Sequence, residues 1–219
     1  LRLAEGIMMT LYLTFGSFLI AIFIGLLLGL GRVSNKTAVS NFCALYIELV
    51  RGIPMLVFIF VIALVLVPDF ADLVNMELRS IDPAIRTVIA LSLFYAAFIA
   101  EVFRAGIQSV PREQAEAGRA LGLRERQIMR QIVLPQAVRN MLPALGNDLI
   151  SLMKDTSLVS VLAVREITQM ARLYSGSTFR FRESFFILVI IYVVLTLILS
   201  LILRWYEKRI AIPGRIGTA

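Results

Sequence analysis

Long apolar runs alternate with short polar connections along this chain, in the pattern typical of helical membrane proteins. The clearest run, Phe185 to Leu203 (FFILVIIYVVLTLILSLIL), approaches the ~20 apolar residues that a helix needs to cross a bilayer. Basic residues flank this run, and Trp205 and Tyr206 follow it, as is common at a membrane–water interface. Hydrophobic residues make up 59% of the 219 positions and charged residues only 17%, so we expect an integral membrane protein.

The apolar runs predict five membrane spans. All five should be helices, because an open sheet would leave backbone groups without partners in lipid. The predicted spans are Ile7 to Leu30, Asn41 to Val67, Ala84 to Ile107, Pro135 to Leu162 and Phe181 to Trp205. The fourth is the least regular. The expected fold is therefore all-α, with one transmembrane domain over residues 1–219.

Basic residues near the ends of the spans predict the orientation. The connections after spans one and three and the C-terminal tail are rich in Lys and Arg, and the tail includes Arg215. The connection after span two is mostly acidic although it contains Arg79, whereas the basic connection after span four does not fit. Three concordant connections place the N-terminus outside and the C-terminus in the cytoplasm. The net charge of +7 is then explained by cytoplasmic segments, without nucleic-acid binding.

Span one carries small residues at four-residue spacing: Ser17, Ala21, Gly25 and Gly29. Such a stripe lets another helix approach closely. It predicts a packing seam within one subunit or between subunits. The alternative is the ordinary tolerance of membrane helices for glycine.

A charged, helix-forming insert separates spans three and four, within residues 111–134. Pro111 suits the first turn of a helix, and Glu113 and Glu116 suit its positive N-terminal end. Gly122 suits a left-handed C-terminal cap, and a second short helix follows it. A helix this short is marginal in water by itself, so we expect it to bind a partner surface.

The side of this helix that a partner would contact is made of small residues. Ala115, Ala117, Gly118 and Leu121 offer a face that another protein can approach closely. The alternative is an amphipathic helix that rests on the membrane surface through its arginines.

The insert also resembles a known signature. The residues Glu116-Ala117-Gly118, then Gly122, then Ile132 to Pro135 (IVLP) resemble the signature of permease subunits of bacterial ABC importers. Gly118 departs from the usual Ala of that family. Three further segments are similar to the polar amino-acid subfamily, which includes histidine, glutamine and arginine importers: YIELVRGIPML (46–56), AEVFRAGIQSV (100–110) and LMKDTSLVSVL (152–162).

This resemblance implies a set of partners. Two permease subunits, of identical or different chains, form the pathway in the bacterial inner membrane. Two cytoplasmic P-loop ATPase subunits bind ATP and Mg²⁺, and an extracytoplasmic binding protein delivers the amino acid. The ATPases would grip the coupling helix through Glu113, Glu116, Ala117, Gly118, Leu121 and Gly122.

Ionisable residues within the spans are costly in lipid, so each should have a partner or line a wet cavity. Glu48 and Arg51 are three positions apart on span two, and Glu101 and Arg104 repeat that spacing on span three. This spacing brings two side chains onto one helical face. Both pairs are predicted to be structural ion pairs or parts of the pathway.

Span four is unusually polar for a membrane helix. It contains Asp148 and the run Lys154, Asp155, Thr156 and Ser157, after Pro143 and Gly146. Proline can kink a helix, and irregular backbone at membrane depth is tolerated where it lines a cavity. Pro54 is expected to open span two in the same way.

An amino-acid substrate needs both donors and acceptors. The candidate substrate residues are Glu48, Tyr95, Lys154, Asp155, Thr156 and Ser157. Phe58, Phe60 and Phe98 can wall the same pocket or serve as plain packing. Lys154 can instead neutralise an acid on a neighbouring helix.

The sequence lacks the residues that several activities require. The chain has no histidine and no G-x-x-x-x-G-K-[ST] motif, so we expect no catalytic function, no ATP site and no cofactor in this chain. Two alternatives remain: a gradient-driven transporter or channel that works without an ATPase, and a membrane scaffold. The first leaves the insert unexplained, and the second leaves the polar span four unexplained.

Overall fold

The computed structural model describes residues 2–34, 36–77 and 81–210, and all the regular secondary structure in those ranges is helical. Arg79 and Arg215, which entered the charge count, lie outside the described residues. The predicted all-α class is confirmed. The helices are α1 (Arg2–Arg32), α2 (Thr37–Gly52), α3 (Met55–Val61), α4 (Val67–Leu73), α5 (Pro83–Gln108), α6 (Arg112–Ala120), α7 (Glu125–Ile128), α8 (Leu134–Asp155), α9 (Ile167–Thr178) and α10 (Phe181–Ile210). Two π-helical turns (Ile62–Leu66 and Met129–Val133) and one 3₁₀ helix (Thr156–Leu162) connect some of them.

Four helical segments are long and apolar enough to cross a membrane. They are Ala4–Arg32, Met55–Leu73, Pro83–Gln108 and Phe181–Arg209. The first, third and fourth match predicted spans one, three and five. Helix α8 is not among the four, because its polar and charged side chains make it less apolar than a typical span, and the count of five spans stays a prediction.

Predicted span two is wrong as one continuous helix. Helix α2 ends at Gly52, and Ile53 and Pro54 are extended, with ψ of 134° and 133°. The ring of a proline disfavours helical geometry in the residue before it, and its nitrogen cannot donate a hydrogen bond. The prediction that Pro54 opens this span is therefore confirmed.

The break lets two helices contact the same turn of α5. Before the break, the hydroxyl of Tyr46 donates to the carbonyl oxygen of Leu93 at 2.9 Å. After the break, the ring of Phe58 packs on that of Phe94, with centroids 5.5 Å apart. Helix α5 is thus enclosed by α1, α2, α3 and α8. In its most apolar stretch of 18 residues 56% are buried, against 11% in the corresponding stretch of α10.

The small-residue stripe of span one is a seam within this chain. A Cβ on Gly25 would lie 2.7 Å from Ile99 Cγ2, and one on Gly29 would lie 2.9 Å from the carbonyl oxygen of Ala100. Both distances are too short for a real Cβ, so α1 approaches α5 closely only because these positions are glycine. The seam prediction is confirmed, and the contact lies inside the subunit.

We expect Gly29→Val to destabilise the protein by about 1–3 kcal/mol, which is typical of overpacking, because the neighbouring backbone oxygen cannot move aside. The matched control is Gly16→Val on the same helix, where an added Cβ meets nothing within 4 Å. Melting temperatures of the two detergent-purified variants make the comparison. Equal melting temperatures would contradict this account of the seam.

The irregular backbone of predicted span four lies at its ends. Helix α8 continues through Pro143, so this residue does not interrupt the helix. Gly146 instead allows close packing, since a Cβ there would lie 3.3 Å from Leu203 Cδ1 of α10. The π turn comes before α8 and the 3₁₀ helix after it, where Ala163 ends the segment with a left-handed φ of 58°.

Candidate functional site

The insert folds as two short helices around a glycine. Pro111 precedes α6, as its missing N–H allows. At the other end the amide of Leu123 donates to Gly118 O at 3.1 Å and that of Gly122 to Arg119 O at 2.9 Å. This pair of bonds is a Schellman motif, and Gly122 adopts the left-handed φ of 77° that it requires. The predicted helix, glycine stop and second helix are confirmed.

Two of the four residues predicted to face a partner pack within the insert instead. A Cβ on the buried Gly118 would lie 2.9 Å from Ile132 Cδ1 and 3.0 Å from Ile128 Cγ1. Ala115 is half-buried on the same side. Ala117 is exposed, and Leu121 has 80% of its surface exposed. The prediction of one continuous small face is therefore wrong, because its middle is used to pack α6 on the segment after it.

Polar contacts fix the turn between these two helices. The guanidinium of Arg119 bonds to the Glu125 carboxylate at 2.6 Å, across Gly122, and this bond holds the pKa of that carboxyl below its usual range. Gln127 Oε1 accepts from the amide of Arg124 at 2.9 Å, which caps α7. Glu113 and Glu116 remain exposed on α6.

An apolar cluster joins the insert to two long helices. Its buried members are Val110, Ile128, Val133, Ala137 and Met141, so it spans the end of α5, the insert and the start of α8. Packed protein interiors resist compression. A displacement of the insert would therefore also move the ends of α5 and α8 that pack against it.

A short hydrogen bond between two side chains joins α5 to α8. The hydroxyl of Tyr95 donates to Asp155 Oδ2 at 2.6 Å. Tyr95 is buried and Asp155, the last residue of α8, is half-buried. A bond this short to a carboxylate is charge-assisted, which makes it one of the stronger side-chain contacts. Two of the predicted substrate residues are thus brought together.

The other predicted substrate residues are arranged differently. Thr156 is fully buried, and its hydroxyl donates to Met153 O at 2.7 Å, so this hydroxyl is already bonded within its own helix. A Thr hydroxyl commonly bonds back to the preceding turn of a helix. Ser157 is half-buried, while Lys154 and Glu48 are exposed. No hydrogen bond or ion pair within the described ranges links these last two to Asp155.

Aromatic rings surround Tyr95. Phe94 contacts Phe58, Tyr95 and Phe98, with ring centroids between 5.2 and 6.0 Å apart. Phe60, in contrast, has 37% of its surface exposed. The sequence analysis did not single out Phe94, because a phenylalanine within a long apolar run is usually an ordinary core residue.

One of the two predicted ion pairs is present. Arg104 contacts Glu101 at 2.7 Å. Arg51 does not pair with Glu48 and instead lies over the ring of Phe98, 5.4 Å from its centroid. The prediction of a Glu48–Arg51 pair is wrong, because the long Arg51 side chain reaches a ring on another helix.

Sequence reasoning missed the buried carboxylate of Glu166. It caps α9, since its two oxygens accept from the amides of Thr168 at 2.8 Å and Gln169 at 2.6 Å. The hydroxyl of Tyr192 on α10 donates to it at 3.2 Å, and the next amide, that of Ile167, donates to Thr10 Oγ1 on α1 at 3.3 Å. Burial raises the pKa of this carboxyl. Glu166 therefore joins the start of α9 to α10 directly after the 3₁₀ segment, and the neighbouring Ile167 amide joins α9 to α1.

Glu166→Ala is expected to lower the stability by about 1–3 kcal/mol, because it removes a cap and leaves buried donors unpaired. Glu166→Gln keeps one acceptor and should cost less. The exposed Glu183, in the first turn of α10, supplies the control Glu183→Ala. The melting temperatures of the purified variants test this order, and a Glu166→Ala variant as stable as the control would refute it.

Together these features define a multi-pass helical membrane protein with a structured insert. The sequence profile of the binding-protein-dependent transport system inner membrane component matches residues 21–212. The glutamine transport system permease protein GlnP of Escherichia coli is 36% identical over 210 residues, which are 96% of this chain and 93% of that protein. The probable amino-acid permease protein YxeN of Bacillus subtilis is 34% identical over 213 residues, 97% and 93% of the two chains.

A solved structure agrees with these relatives. The crystal structure of an amino acid ABC transporter with histidines superposes with a TM-score of 0.85 at 35% identity, over 95% of this chain and 94% of that one. The chain belongs to the family of inner membrane components of binding-protein-dependent transport systems. It is a multi-pass permease subunit of an ATP-driven importer, and a separate subunit hydrolyses the ATP. The predicted family resemblance is confirmed.

Proposed function

We propose that this chain forms half of a translocation pathway for polar amino acids, basic ones included. The observation that carries the proposal is the hydrogen bond of Tyr95 to Asp155 at the end of α8, beside a cluster of aromatic rings. The relatives named above are permeases for glutamine or for amino acids, which agrees with this substrate class.

The chemistry of the site suits an amino acid. Asp155 uses Oδ2 to accept from Tyr95, and no described residue donates to Oδ1, which is thus available to an ammonium or guanidinium group. Lys154, exposed at the neighbouring position, is a donor for the substrate carboxylate, and Glu48 and Ser157 are further candidates. Lys154 and Glu48 are exposed in the single chain, where a second permease subunit, identical or different, would cover them.

Coupling to ATP hydrolysis goes through the insert. The exposed side of α6, with Glu113, Glu116, Ala117 and Leu121, is the surface for the ATPase, while Gly118 and Gly122 shape the helix and its turn. Two cytoplasmic ATPase subunits, which bind ATP and Mg²⁺, act on two permeases. An extracytoplasmic protein delivers the amino acid. Five spans, with the N-terminus outside and the C-terminus in the cytoplasm, put the insert on the side of the ATPases.

Copurification tests the partnership directly. A tagged chain, co-expressed with a candidate P-loop ATPase, should retain it through affinity and size-exclusion chromatography. Substitution of Leu121, the exposed apolar residue of α6, by Asp should release the ATPase and leave the permease in the membrane. An ATPase that is never retained would favour the alternative of a gradient-driven transporter or channel, whereas equal retention by Leu121→Asp would refute the role of this residue in the contact.

A further inference from the structure

Helix α10 leaves most of its surface uncovered by the other helices of this chain. In its most apolar stretch only 11% of the residues are buried, and large apolar side chains are exposed along it, among them Ile190, Leu197 and Leu201. An exposed apolar face of this length marks a contact with lipid or with another protein. The two ends of the helix carry the side chains that distinguish these occupants.

Each end of α10 carries an arginine that lies on an aromatic ring. The Arg182 guanidinium lies 6.0 Å from the centroid of the Phe186 ring, and that of Arg209 lies 4.5 Å from the centroid of the Trp205 ring. In both pairs the arginine lies about one turn beyond the ring, toward the nearer end of the helix. Neither arginine forms an ion pair with an acid of the described residues, so both cations are available to an external anion.

The first pair points away from the helices that pack against α10. Ser184 and Leu188 are buried, and Leu188 belongs to the cluster that joins α10 to α9. Each of them follows one member of the pair, Arg182 or Phe186, by two positions, which is about 200° around an α-helix. The pair therefore lies on the side of α10 opposite to its buried side.

The second pair has the same relation to α8. A Cβ on Gly146 of α8 would lie 3.3 Å from Leu203 Cδ1 and 3.7 Å from Glu207 Oε1, so these two side chains face α8. Trp205 and Arg209 follow them by two positions each, again about 200° around the helix. Both arginine–aromatic pairs thus face outward.

The spacing of the two pairs along α10 matches the thickness of a bilayer. From position 186 to position 205 the helix rises ~28 Å, close to the ~30 Å of the hydrocarbon core. From position 182 to position 209 it rises ~40 Å, close to the ~40–45 Å that include the headgroups. The rings are therefore spaced like the two edges of the hydrocarbon core, and the arginines like the two layers of phosphate groups. A protein partner would require neither spacing.

We propose that α10 binds anionic phospholipids at both of its ends. Arg182 binds a headgroup phosphate of the outer leaflet, and Arg209 binds one of the inner leaflet together with the exposed Arg204 and Lys208. A guanidinium suits this role because it donates two parallel hydrogen bonds to a phosphate. The binding also accounts for the connection after span four, which is basic on the outside in the proposed orientation and which contains Arg182.

Quenching of the single tryptophan tests the inner end. Trp205 is the only tryptophan of the chain, so its fluorescence reports the lipids beside Arg209. The full chain is reconstituted in equal mixtures of phosphatidylcholine and phosphatidylglycerol, with brominated acyl chains on one lipid or on the other. Stronger quenching by brominated phosphatidylglycerol is expected, with a relative affinity about five-fold higher or more, the effect of one cation near the surface.

Variants at this end make the result specific. Arg209→Gln should lower the relative affinity for phosphatidylglycerol about five-fold, whereas Arg209→Lys keeps the charge and should retain most of the preference. The control Arg126→Gln removes an equal charge at an exposed position of α7 and should leave the preference unchanged.

A relocated tryptophan tests the outer end. In the double variant Trp205→Phe and Phe186→Trp the reporter lies beside Arg182, at a position that is already aromatic and exposed. The same preference is expected, and Arg182→Gln in this background should lower it about five-fold. Arg165→Gln is the control, because Arg165 is an exposed cation of the same connection outside α10.

Two outcomes would overturn the inference. Equal quenching by the two brominated lipids would mean that α10 faces lipid without selecting the headgroup. Weak quenching by both would mean that a protein, such as a second permease subunit, covers the outward face. The proposed function is unaffected by either outcome, because the measurement involves neither the substrate nor the ATPase.

Discussion

Asp155→Asn is expected to raise the concentration of a cationic amino acid that half-maximally stimulates ATP hydrolysis by ~10–100-fold, the range for one charge-assisted contact. The substitution keeps the size of the side chain and an acceptor for Tyr95, but it removes the charge that an ammonium or guanidinium group would meet. Basal hydrolysis without substrate should change much less. The measurement is ATP hydrolysis by the complex in liposomes over a series of substrate concentrations.

Tyr95→Phe is the matched variant for this prediction. It removes only the hydroxyl that holds Asp155 Oδ2, so we expect a smaller shift in the same direction. If basal and stimulated hydrolysis fall equally in Asp155→Asn, this residue supports folding or packing, and the assignment of the substrate site is wrong.

Gly122→Val is expected to abolish the coupling of hydrolysis to transport while the protein still inserts into the membrane. The position has a φ of 77°, where a β-branched residue is strongly disfavoured, at a cost of about 1–2 kcal/mol. An added Cβ meets nothing within 4 Å, so the effect comes from the backbone and not from a clash. Uptake and ATP hydrolysis, measured on the same proteoliposomes, give the coupling ratio.

Asparagine is the control at this position. It tolerates the left-handed region, so Gly122→Asn should retain most of the coupling that Gly122→Val loses. Normal ATPase binding and transport in Gly122→Val would refute the view that the Schellman turn positions the insert. Equal loss in both variants would show that the glycine is needed for a contact, not for its conformation.

The insert could be predicted from sequence because its signals are local. Pro111 and Gly122 act on their own backbone, and the cap forms between neighbouring residues. Pro54 indicated the break in span two because a proline also acts on its own backbone. Hydropathy, however, is averaged over many residues, so it predicted α2 and α3 as one span.

Features that depend on distant residues could not be predicted. Glu166 is held by α10 and lies beside α1, and nothing near it in the sequence marks it as buried. Glu48 lies at the right spacing to pair with Arg51, but such spacing permits an ion pair without requiring it. In the structure Arg51 lies over the ring of Phe98 on another helix. The small face of α6 was misjudged because the residues that cover Gly118 come from the following segment.

Uptake into proteoliposomes tests the central claim most directly. The chain is reconstituted with its permease and ATPase partners, and labelled L-glutamine or L-arginine is supplied with the binding protein, with ATP present or absent on the ATPase side. The account predicts accumulation that requires ATP and is lost when the ATPase is omitted. Accumulation driven by an ion gradient or membrane potential in the absence of the ATPase would contradict it.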